Sequence, residues 1–158
     1  MQPQLYFFLS IAFAMIAWGV VAKLYLWPKL RSMGRSDALR PILVLHCFRF
    51  LGLAFLVPGV VSPDLPFAFA HAAAVGDIIA AILALLSLAS LKSRAGLVVA
   101  WIFNLWGSAD ILNAFFQAGH AGMMAGQLGA AYFLPAVVVP LLLITHVLAF
   151  QILLRHSK

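Results

Sequence analysis

The chain has 158 residues, 65% of them hydrophobic and 9% charged, with a mean hydropathy of +1.09. A soluble domain carries about a quarter charged residues, so this chain cannot clothe a water-facing surface and a soluble globule is excluded. The formal charge of +6 comes from ten Lys and Arg against four acidic residues. In so apolar a chain that bias reads as membrane orientation and not as affinity for nucleic acid.

At about 20 residues per span the length accommodates five transmembrane helices in one domain, and five apolar runs stand out. The first, residues 5–27, has its first base, Lys23, near its far end, unlike a cleaved signal peptide. Lys23 lies about one turn from that end and can snorkel to the headgroups. Residues 28–41 are the one stretch with a soluble-looking composition and are expected to be a loop. The second run, 42–61, contains the single cysteine, Cys47, which excludes an internal disulfide. The third, 67–90, places Ala70, Ala74, Asp77, Ala81 and Ala84 at helical spacing. A stripe of small residues lets helices approach closely in lipid. The fourth run covers 97–118, a flexible stretch is expected over 119–131, and the last run covers 132–154.

With five spans, Lys23, Lys29, Arg31, Arg35, Arg40, Lys92, Arg94, Arg155 and Lys158 all fall on one side. The N-terminus is therefore expected outside and the C-terminus in the cytoplasm, in a bacterial inner membrane. The expected fold is an all-α integral membrane bundle of five transmembrane helices.

Ionisable groups within the hydrocarbon are costly and mark functional sites by default. At about 1.5 Å per residue from the basic ends of the runs, His46 lies near 8 Å, Asn104 near 10 Å, and Arg49 and His146 near 12 Å. Asp77 and Asp110 both fall near 20 Å. His71 and His120 are expected at the outer interface. Arg49 stays charged and can fully match only one aspartate; the other is expected to be neutral or to hold a cation. No phosphate loop, HExxH pair or GxSxG elbow occurs.

The first reading is a pathway for protons, ions or a small solute, worked by Asp77, Asp110, Arg49, His46, His146 and Asn104, with a homo-oligomer expected from the small size. The second is electron transfer through a b-type haem held by His46 and His146, with Arg49 on a propionate and space at Gly52. In helix count and in these two histidine placements the chain is similar in outline to the five-helix cytochrome b subunits of respiratory nitrate reductases. That likeness implies haem ligands on the second and fifth helices. The third reading is an accessory subunit of a larger membrane complex, with Asp77 or Asp110 turned toward a partner.

Overall fold

The structure, a computed structural model, describes residues 3–155. Among them five helices are long and apolar enough to cross a membrane: α1 (Pro3–Arg31), α2 (Arg35–Leu56), α3 (Phe67–Ser90), α4 (Arg94–His120) and α5 (Leu134–Leu153). The third matches the expected 67–90, while the second starts seven residues early and ends at Leu56, not Val61. The expected loop over 28–41 thus shrinks to a turn around Ser32–Gly34. Lys and Arg are good helix formers and carry the helices past their apolar segments. Pro58, assigned to the second span from the sequence, lies in the connection that follows it.

Among three local departures from α-helix in the spans, two have an identifiable cause. Prolines lack an N–H and crowd the carbonyl four residues back. The π-helical turn Ala22–Leu26 stands just before Pro28, and a second one, Leu134–Val138, just before Pro140; each takes up the displaced bonding. The third departure is longer. From Cys47 to Leu56, α2 runs as a 3₁₀ helix.

The stretch expected to be flexible is tied down. It continues α4 to His120 and then forms a 3₁₀ segment, Ala125–Tyr132. Ala130 N–H donates to the Val60 carbonyl at 2.8 Å, and Ser62 N–H to the Gln127 carbonyl at 2.9 Å. Gly129 makes the approach possible: its φ is +52°, and a Cβ there would overlap the Val60 carbonyl. Gln4 fastens α1 to the same segment, donating to the Met123 carbonyl at 2.9 Å and accepting from Ala125 N–H at 2.8 Å.

At the other end the bases gather. The Arg155 guanidinium lies 4.5 Å over the Trp27 ring, Arg35 donates to the Arg155 carbonyl, and Ser36 donates to the Leu91 carbonyl at 3.1 Å. Lys158, counted with this set from the sequence, lies outside the described residues. The apolar core has two parts. Leu39, Leu43, Phe103 and Ile152 seal the basic half, and Phe7, Phe55, Phe69 and Leu128 pack the opposite half. Ala70, Ala74, Ala81 and Ala84 are all buried, as the small-residue stripe predicts. Between the two parts lies a polar layer.

Candidate functional site: a buried Asp–Arg–Asp cluster

In a 3₁₀ helix residues three apart lie in line, whereas in an α-helix each step of three drifts by about 60°. His46 ends the α-helical part of α2, and Arg49, Gly52 and Phe55 follow at intervals of three; all four are buried. The 3₁₀ stretch therefore presents one straight face, with the Arg49 guanidinium in the centre of the bundle.

A guanidinium carries five N–H donors on three nitrogens, and all three nitrogens are engaged. Nε donates to Asp77 Oδ1 at 2.7 Å, and one terminal nitrogen reaches Asp77 Oδ1 and Asp110 Oδ2, each at 2.6 Å. The other terminal nitrogen donates to the Gly107 carbonyl at 3.2 Å and faces His146 Nε2 at 3.5 Å. The Arg49 side chain is 1% exposed, against 20% for Asp77 and 11% for Asp110.

Glycines make the room. A Cβ at Gly52 would overlap the Asp77 carboxylate, and one at Gly76 would overlap that of Asp110. At Gly107 it would lie 2.6 Å from His146 Cε1 and 2.7 Å from an Arg49 nitrogen. Trp106 donates its indole N–H to the Gly76 carbonyl at 3.3 Å, fastening α4 to α3 beside Asp110.

On the basic side of Arg49 the two histidines are in contact, with ring centroids 4.3 Å apart. Asn104 Nδ2 donates to the His146 carbonyl at 3.2 Å, so its Oδ1 accepts from His146 Nδ1–H at 2.7 Å. This leaves the His146 Nε2 lone pair toward Arg49. The Thr145 hydroxyl donates to the Leu141 and Leu142 carbonyls, so its oxygen accepts from His46 Nε2–H at 2.9 Å. His46 Nδ1 is then a lone pair, buried and without a hydrogen-bond partner among the described residues.

The site thus gathers all six residues singled out in the sequence, with two corrections. Arg49 does not choose between the aspartates; it binds both. The height gap expected between Arg49 and the aspartates closes because α2 starts at Arg35, adding about 10 Å of helix below Arg49. A haem does not fit either. Imidazoles that share an iron stand on opposite faces of a porphyrin, whereas these rings touch, and His46 Nε2 and His146 Nδ1 are bonded to Thr145 and Asn104. His71 and His120 are exposed, each beside a phenylalanine ring, as expected of interfacial residues. Thr145 escaped the sequence reading, although its place beside His146 in an apolar run marks it as a hydrogen-bonding candidate.

Three spaces reach the cluster, one of them a shallow surface hollow of about 210 Å³ that touches Asp110 beside Trp106, Ala109 and Asn113. A cavity of about 70 Å³ ends on Arg49, Asp77 and Asp110 and runs between Phe7, Phe69, Phe115 and Met123 toward the end of the bundle opposite the bases. A groove of about 220 Å³ between α2 and α5 reaches Arg49 and Asp77 from the side.

Fold and site together define a class: a helical protein with five candidate membrane spans that buries an arginine between two aspartates. The chain belongs to the family described as Domain of unknown function (DUF8737), which matches it over residues 6–154. No curated protein and no solved structure matches the chain.

Proposed function

We propose that this integral membrane protein moves protons, ions or a small solute across a bacterial inner membrane. Asp77 and Asp110 are the working carboxylates, Arg49 balances and holds them, and His46, His146 and Asn104 form the inward side of the pathway. One observation carries the reading: two carboxylates share a single guanidinium where a cavity ends. With all three groups ionised the cluster bears one excess negative charge. An uncompensated charge at this depth costs several kcal/mol, so a function that binds a cation or a proton there gives it a reason to exist.

A structural ion pair needs only one aspartate. The accessory-subunit reading expects a carboxylate turned outward, whereas both turn inward to Arg49. The pathway reading accounts for the second carboxylate. The N-terminus lies outside and the C-terminus in the cytoplasm, and the small bundle assembles as a homo-oligomer. The test is flux in liposomes containing the purified protein, under imposed proton, sodium or potassium gradients. Flux that disappears in Asp77→Asn and Asp110→Asn supports the reading; vesicles as tight as protein-free ones to every gradient reject it.

A further inference from the structure

Resting on that reading, we infer that the species bound and moved is the proton, that one proton is shared by Asp77 and Asp110, and that it arrives through the cavity facing away from the basic end.

The cavity decides against larger cargo. Organic ligands occupy pockets of about 300–1,000 Å³, whereas this one holds about 70 Å³ and the two side spaces that touch the cluster about 220 and 210 Å³. A water needs about 10–15 Å³ of such space, so a short file of waters fits and a solute does not. The walls decide against a metal cation. Hard cations need a shell of oxygens. Here the only polar side chains are the two carboxylates and the guanidinium that repels a cation; the rest of the wall is apolar, as at Phe7, Phe69, Ile111 and Phe115. Among the described residues no three His, Cys, Asp or Glu side chains converge as a metal site. A proton needs only one carboxylate oxygen.

The charges facing the pair are few. Helix α2 supplies Arg49, α3 Asp77, α4 Asp110 and α5 His146, while α1 contributes the apolar Phe7. Adding one proton, taken from outer water, turns the cluster from an excess of one negative charge to neutral while Arg49 keeps all its donors. Arg49 bars direct onward passage, since a fixed cation repels an excess proton in a narrow path. The histidines lie beyond it, where the His46 Nδ1 lone pair has no partner among the described residues. The proton therefore rests on the aspartates until Arg49 withdraws.

Infrared spectroscopy of the full chain in lipid, with isotope-labelled aspartate, reads the bound proton directly. At neutral pH a label-shifted carboxylic acid carbonyl band is expected, disappearing in Asp77→Asn or Asp110→Asn because Arg49 then matches the remaining carboxylate. Its absence from the wild-type protein overturns the inference, and that readout needs neither flux nor a variant that folds. In liposomes, an internal pH dye should respond to a proton gradient equally well when sodium and potassium are replaced by choline. Aspartate-dependent flux that follows sodium or potassium and leaves the dye unmoved overturns the proton while the transport reading stands. Protein-containing vesicles that pass nothing overturn both.

Discussion

Arg49 engages all three of its guanidinium nitrogens, and that makes its replacement more damaging than the loss of either aspartate. Removing one partner from a buried ion pair costs about 3–5 kcal/mol, because it strands a charge. Arg49→Leu strands the charge of the aspartate pair and leaves both carboxyl groups without their partner. Asp77→Asn or Asp110→Asn leaves one arginine facing one carboxylate, and the loss falls toward that of a charged hydrogen bond, about 1.5–3 kcal/mol. Thermal unfolding in detergent should therefore rank Arg49→Leu well below both Asn variants; equal stabilities would contradict the cluster. Arg49→Lys should resemble Leu more than wild type, since three donors on a flexible stem cannot serve acceptors on α3, α4 and α5. The glycines give a second test. Gly76→Ala should destabilise by pushing into Asp110, while Gly19→Ala, with nothing within 4 Å of its Cβ, should be neutral or gain up to about 1 kcal/mol of helix propensity. At this scale the sequence was informative. A charge in an apolar run announces itself, so Arg49, Asp77 and Asp110 were legible. Their mutual contacts were not, because an arginine between two carboxylates depends on side-chain directions from three helices.

The 3₁₀ stretch of α2 is what aims Arg49, and it was hidden in the sequence. Reading depth at the α-helical rise assumed one geometry throughout; ten residues of 3₁₀ helix add about 5 Å at 0.5 Å more per residue. The clue present was a spacing, with His46, Arg49, Gly52 and Phe55 each three apart, yet most flanking residues are apolar and carry no contrast between buried and lipid-facing sides. Runs of 3₁₀ helix beyond three or four residues are uncommon because their hydrogen bonds are strained, and a return to α-helix would swing Arg49 by about 60° relative to His46. If the proposed proton pathway operates, such a rotation would displace Arg49 from the aspartates. The resting geometry is open to measurement. Leu53 is exposed and Phe55 buried; an α-helical continuation from His46 would carry Phe55 round to the far side. Nitroxide labels placed singly at 48, 50, 51, 53, 54 and 56, with Arg49 and Gly52 left in place, should all be accessible to lipid-dissolved oxygen, residue 53 as readily as residue 51. A period near 3.6, with residue 53 protected, would refute the 3₁₀ assignment.

At the scale of the whole molecule, charge and packing separate two ends that need not behave alike. Eight bases, Lys23, Lys29, Arg31, Arg35, Arg40, Lys92, Arg94 and Arg155, lie toward the end where Trp27, Arg35, Ser36, Leu91 and Arg155 meet. The opposite connections carry only Asp64 and His120 among Asp, Glu, Lys, Arg and His residues between 57 and 66 and between 120 and 133. That asymmetry was legible from the sequence because basic residues mark connections whatever the internal packing. The tight joining of the opposite end was not, since it rests on backbone bonds such as Ala130 to Val60, which composition does not encode. In the proposed orientation, with the basic connections on the cytoplasmic side, the cavity that ends on Asp77 and Asp110 would open away from the cytoplasm, and the sealed core of Leu39, Leu43, Phe103 and Ile152 would face it. In a Cys47→Ser background, Ser32→Cys and Ser93→Cys should react with a membrane-impermeant maleimide only in inverted vesicles. Ala121→Cys should react only in intact spheroplasts. The sites are suitable because all three residues are exposed and stand in turns. Labelling of residue 32 from outside would reverse the bundle, and with it the side from which the aspartates are loaded.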